Sequence, residues 1–233
     1  MPEREDGSFW VQLTGGVRHL VGDRILGHML VGFGLTMLVL GFCESAIFAL
    51  TDHFGKGATF VSVLVSVQGI GAVVGGLSSP RVVRRLGEVG AGVLGLVLLG
   101  TSAIAMALSP SVGWVLISIT VFGVSLPILV VAYLTLLQRR TPQRLMARVS
   151  VAAEVVMSVP SAASLALGAL LVTIVDWRLI FLVIGVFTLA GAGHVAFWLR
   201  DVLRSPGSVE AVADPVAGPE PTPLDPGSTV AST

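Results

Sequence analysis

The chain has 233 residues, the length of one or two soluble domains, yet 54% of them are hydrophobic, only 12% are charged, and mean hydropathy is +0.91. A soluble fold of this size cannot hide that much apolar surface. Formal net charge is zero and no basic run interleaves with aromatic residues, which argues against a nucleic-acid partner. The single cysteine, Cys43, excludes an intrachain disulfide and a Cys-based zinc site.

Residues 1–24 form an amphipathic lead-in. Phe9, Leu13, Val17, Leu20 and Val21 fall at helical spacing with Gln12, Arg18, His19 and Asp23 on the other side, which predicts a helix lying along the inner membrane surface. No apolar core followed by a small-residue cleavage site precedes the first long run, so a secretory signal peptide is not expected. Six apolar runs follow: Ile25 to Leu50, Thr59 to Ser79, Val89 to Leu108, Val112 to Leu137, Val149 to Val175 and Trp177 to Leu199. A bilayer core of about 30 Å takes roughly 20 residues of helix, and open sheet edges are not viable there, so each run is predicted to be a spanning helix. Residues 201–233 alternate Pro with Gly, Ser and acidic residues and predict a disordered cytoplasmic tail.

The expected fold is therefore all-α, a multi-pass protein of the cell membrane with a six-helix domain over residues 25–200. With the amino terminus inside, only Lys56 and Arg178 of the 14 basic residues fall outside, and an even number of crossings puts the carboxyl terminus inside too.

Ionisable groups within a span are costly, which singles out Glu44 and Glu154. Burial in general raises a carboxyl pKa, so each is a candidate for proton uptake and release. The competing readings are a carboxylate reaching outer water for Glu44, and an ion pair with Arg148 or a neighbouring loop arginine for Glu154. Gln68 is placed to hydrogen-bond either a substrate or another helix. Tyr133, the only tyrosine, is either a cavity group or an interfacial anchor. Pro127 and Pro160 interrupt long helices and predict kinks.

The run Gly69-Ile70-Gly71-Ala72-Val73-Val74-Gly75 imitates a dinucleotide-binding pattern but lacks the preceding strand and the following acidic residue. Gly71 and Gly75 are instead expected to let a neighbouring helix approach closely. His194 reads as a packed residue, because no second His or carboxylate stands at helical spacing, and the four histidines are expected on both sides of the membrane. No enzyme motif, metal site or cofactor site is expected: HExxH, GxSxG and a phosphate-binding loop are all missing from the sequence.

Three segments carry a family resemblance. Arg84-Arg85-Leu86-Gly87-Glu88 resembles the Asp-Arg-x-Gly-Arg core of the loop joining the second and third helices of each half in the major facilitator superfamily. Gln138-Arg139-Arg140-Thr141-Pro142, continuing through Arg144 to Arg148-Val149-Ser150, is similar to the Gln-Arg-x-x-Pro...Arg-Gly-Arg-Val-x-Ser segment of exporter-type members. Asp176-Trp177-Arg178-Leu179-Ile180-Phe181 resembles the Gly-Trp-Arg-x-x-Phe opening of a half's last helix. There are departures from these patterns: Arg84 replaces an aspartate, Glu88 a basic residue and Ala147 a glycine.

The resemblance runs from Phe9 to Arg200 and implies the carboxyl-terminal half of an exporter, its spans being helices seven to twelve. It implies proton-coupled export of small amphipathic molecules such as drugs or siderophores, from a cavity between two six-helix halves. The chain would then be such a half or a truncated form, and its partners would be the lipid bilayer, a small-molecule substrate, and either a separate amino-terminal half or a second copy of itself. The cavity-facing candidates are Glu44, Gln68, Tyr133 and Glu154. Two other readings stand beside this one: a membrane scaffold or accessory subunit that transports nothing, and a six-helix transporter working as a homodimer.

Overall fold

The computed structural model describes residues 14, 17–18, 20–171 and 174–204, and all its regular structure is helical. In chain order the helices are α1 (Arg24–His53), α2 (Thr59–Ala107), α3 (Val112–Arg140), α4 (Gln143–Leu171), α5 (Trp177–Trp198) and the short α6 (Arg200–Arg204). Among the described residues, α1 to α5 are the five helices long and apolar enough to cross a membrane. Most of the amphipathic lead-in, and the tail from residue 205 onward, lie outside the described residues.

Helix starts follow from local chemistry. Asp23 caps α1, its Oδ1 accepting from the backbone N–H of Ile25 at 2.9 Å and of Leu26 at 3.0 Å. Ser111 caps α3 and Asp176 caps α5 in the same way. Two expected boundaries move. Helix α4 begins at Gln143 and not at Val149, because Pro142 confines the break to itself and Thr141, which is extended at φ −110 and ψ 121. The arginine-bearing segment after it is helix rather than loop. Residues 201–204, expected in the disordered tail, complete α6, and Val202 and Leu203 pack against the core.

A further correction of this kind concerns α2. Its 49 residues would make a rod of about 74 Å, more than twice a bilayer core. The loop expected between Ser79 and Val89 is helical through Pro80 and Leu86, and only Gly87 departs, at φ 71 and ψ 172. That conformation is open essentially to glycine alone. Before it, Gly71 lies against Thr120 and Gly75 against Val124, so this limb runs parallel to α3; after it, Gly92 lies near Ala132 and Gly95 against Leu129, so the second limb runs antiparallel. The two limbs are thus antiparallel to each other, and the chain reverses on a single residue.

Six helical stretches therefore run between two ends. One end, rich in arginine, gathers Asp23, Arg24, Glu88, Arg139, Arg140 and Trp198 through direct contacts. The opposite end gathers His53, Phe54 and Trp177, with the Arg178 guanidinium 5.2 Å from the Trp177 ring. The core splits accordingly. Leu26, Phe33, Leu129, Leu136 and Val195 fill the arginine-rich half, and Leu50, Leu64, Leu99, Ile119 and Phe181 the other. Leu20 of the lead-in is fully buried in the first of these, so this part of the lead-in is tucked into the bundle and does not simply lie along a surface.

Outside the bundle, apolar side chains remain exposed, among them Ile70 at 64% and Leu77 at 70%. In a lipid environment that exposure costs nothing, and helix association rests on close packing rather than on hiding apolar area. Several polar side chains inside the spans are quenched locally: Thr36 donates to the Gly32 carbonyl, Ser79 to Gly75, Ser118 to Trp114 and Thr120 to Leu116.

Candidate functional site

Helix α1 packs chiefly on α4 and α5, while α2 packs on α3 and α5. Between α1 and α3 the contact is sparse, and two grooves occupy that seam. The first, of about 200 Å³, is lined by Cys43, Glu44 and Ile47 of α1, Val65 and Gln68 of α2, and Phe122 of α3. Glu44 is exposed and Gln68 half-buried. The second, of about 390 Å³ and nearer the arginine-rich end, is lined by Phe33 and Met37 of α1, Tyr133 of α3, and Glu154, Met157 and Ser158 of α4.

The four candidates singled out by sequence thus fall into two pairs along one seam, Glu44 with Gln68 and Tyr133 with Glu154. Tyr133 is 3% exposed and stacks on Phe33, with ring centroids 5.1 Å apart and an interplanar angle of 21°. The interfacial-anchor reading does not fit a residue so deeply enclosed. Its hydroxyl has no hydrogen-bond partner among the described residues. Glu154 is exposed, and Ser158 one turn on donates to its Oε1 at 3.1 Å. Pro127 and Pro160 stand within α3 and α4, neither of which contains a residue of non-helical backbone.

The loop residues form the floor of the arginine-rich end. Arg139 Nη1 reaches Glu88 Oε1 at 3.0 Å, where the Glu88 side chain is only 7% exposed. Arg140 Nη1 reaches Asp23 Oδ2 at 3.0 Å. Burial raises the Asp23 pKa, but the Leu26 N–H, the Arg140 guanidinium and the Ile25 N–H together outweigh it and hold the carboxyl below its ordinary value. Arg84, Arg85 and Pro142 are exposed, Arg148 is half-buried, and the Arg144 side chain lies outside the described residues.

Residues 2–165 match the Major Facilitator Superfamily. The chain belongs to that family. It is by family a membrane transport protein, and a bilayer and a small-molecule substrate are implied by that membership. No curated protein and no solved structure matches it.

Within the facilitator frame, the departures at the first loop acquire a structural meaning. Gly87 keeps the residue type that the motif needs, and its left-handed backbone shows why. Glu88, of the opposite sign to the pattern, takes its partner from the second motif segment, so the two segments are joined by Glu88 and Arg139. The glycine reading is also resolved: Gly71 and Gly75 sit against the backbone of α3, where an added methyl would collide with the carbonyls of Thr120 and Val124.

One contact was not legible in the sequence. His28 Nδ1 and His194 Nε2 lie 3.0 Å apart, and His28 stacks on Trp198 at 5.4 Å. Two of the histidines expected to be scattered are therefore neighbours, brought together by packing of α1 on α5 and not by helical spacing. Among the described residues, no group of three or more His, Cys, Asp or Glu assembles that could hold a metal ion.

Proposed function

We propose that the protein is a proton-coupled secondary transporter that exports small amphipathic molecules. The observation that carries this reading is the seam between α1 and α3, where each of two grooves in an otherwise apolar bundle presents a carboxylate, Glu44 in one and Glu154 in the other. A carboxylate within a membrane span is costly to keep, and one facing a cavity is placed to exchange a proton with water or with a bound molecule.

In this reading the two limbs of α2 cross the membrane separately, giving six crossings of the cell membrane. The arginine-rich end is cytoplasmic by the charge asymmetry of the loops, and with it both termini. The bundle is one six-helix half, and the open seam is completed by a second six-helix unit, supplied by a separate half or a second copy.

The test is proton flux in reconstituted vesicles. Imposing a gradient of a transported amphiphile is expected to move protons the opposite way in the native protein, and Glu44→Gln or Glu154→Gln is expected to reduce that coupled flux about tenfold or more. Unchanged coupling in both variants would remove the proton-exchange role from this seam.

A further inference from the structure

The two grooves are chemically unequal, and the one nearer the arginine-rich end carries the stronger specification of a ligand. Hydroxyls of Ser and Thr inside these spans can satisfy themselves on their own helix, as Thr36, Ser102 and Ser125 do. A tyrosine cannot, because its rigid ring carries the hydroxyl away from the backbone. Tyr133 is buried to 3% exposure, lines this groove and has no partner among the described residues for its hydroxyl. A buried phenolic hydroxyl without a hydrogen bond is costly, so a ligand that supplies one gains affinity there. Thr188 is likewise unpartnered, but it lies on α5 and lines neither groove.

The rest of the lining narrows the ligand. Glu154 supplies a negative charge, positioned by the Ser158 hydroxyl. The stacked Phe33 and Tyr133 rings offer π faces, which attract cations. Met37 and Met157 add soft side chains that adapt to an irregular apolar body.

We propose that the groove between α1, α3 and α4 binds an organic ammonium ion with an aromatic or aliphatic body, its charge met by Glu154 and its N–H group donating to the Tyr133 hydroxyl. This rests on the transport reading and names the substrate class that reading leaves open. Glu44 and Gln68 form a separate site in this scheme and do not touch the ammonium.

Equilibrium binding to the purified full chain in detergent tests the proposal with three probes of one shape: phenylbutylammonium, phenylbutyltrimethylammonium and phenylbutanesulfonate. The native protein is expected to favour the primary ammonium over the sulfonate by about tenfold or more, a charge-assisted hydrogen bond being of that order. Glu154→Gln should abolish that preference, and Glu154→Asp should restore part of it, which separates loss of charge from loss of fold. Tyr133→Phe should weaken the primary ammonium severalfold and leave the quaternary one unchanged, an asymmetry that a packing defect would not produce. Equal binding of ammonium and sulfonate, or a Glu154→Gln protein that still discriminates, overturns the proposal; so does a Tyr133→Phe protein that loses both cations alike. Vesicle flux distinguishes the two readings. Ammonium binding without proton-driven movement of the probe leaves the site and sinks the transporter, whereas proton-driven flux of other amphiphiles without ammonium binding does the reverse.

Discussion

Toward α2, helix α3 meets its neighbour backbone against backbone, with Gly71 at Thr120, Gly75 at Val124 and Gly123 at Gln68. Toward α1 the same helix is held off by two grooves, and at the arginine-rich end it is tied across by Arg140 and Asp23. The difference teaches how a bundle without a hydrophobic driving force between its helices divides its tasks. Glycine contacts make a rigid pair out of α2 and α3, while bulky side chains on α1 prop open a seam in which polar groups can face a ligand. Each side of α3 also has its own arginine: Arg139 turns to α2 through Glu88, and Arg140 turns to α1 through Asp23.

The largest effect is expected from breaking the tight side. Gly75→Leu drives a side chain into the Val124 backbone, which has no flexible end to move aside. It should cost about 1–3 kcal/mol or more by overpacking, read as a lowered melting temperature of the purified protein in detergent. Gly76→Leu is the control, since nothing lies within 4 Å of a Cβ there, and it should change stability by less than about 0.5 kcal/mol. Equal losses in both would show that the glycines matter as helix residues and not as contacts.

A smaller effect is expected from the ion pair on that same side. Arg139→Gln leaves the Glu88 carboxylate enclosed without its cation, at a cost of about 1–2 kcal/mol once screening at the half-exposed arginine is allowed for. Glu88→Gln in the same chain should recover most of that loss. A double-mutant cycle with no coupling would mean that the pair is incidental and that the glycine contacts alone fix α2 on α3.

The spans were legible because apolar run length measures a bilayer directly: the run expected from Ile25 to Leu50 is helix from Arg24 to His53. The turns were less so. Charged residues at Arg81, Arg84 and Arg85 read as a loop, but charge is equally at home on a helix emerging from a membrane, and nothing in composition shows that a chain will reverse on Gly87 alone. Pro142 did announce a break, only a narrower one than the surrounding arginines suggested. At the seam, each polar residue stood out singly against an apolar background. Their pairing could not be read, because Glu44 comes to share a groove with Gln68, and Tyr133 with Glu154, only through packing of helices remote in sequence. The contact of His28 with His194 was hidden for the same reason.

The smallest expected effect lies on the open side, and pH is the variable that isolates it. The Asp23 carboxyl is held below its ordinary pKa in the folded chain, so it binds a proton less readily there than when unfolded. Its contribution is therefore fully present above the ordinary value of 3.8 and is lost as pH falls through the lower, folded value. Asp23→Asn separates the two tasks of the residue, because an asparagine oxygen still caps α1 from the Ile25 and Leu26 amides while offering Arg140 no charge. At neutral pH the variant should lose only about 0.5 kcal/mol, and its melting temperature should fall less steeply than the native protein's below pH 4. If the native and variant proteins lose stability in parallel through that range, the acid sensitivity belongs to other carboxylates, and the tie between α1 and α3 is no more than the cap.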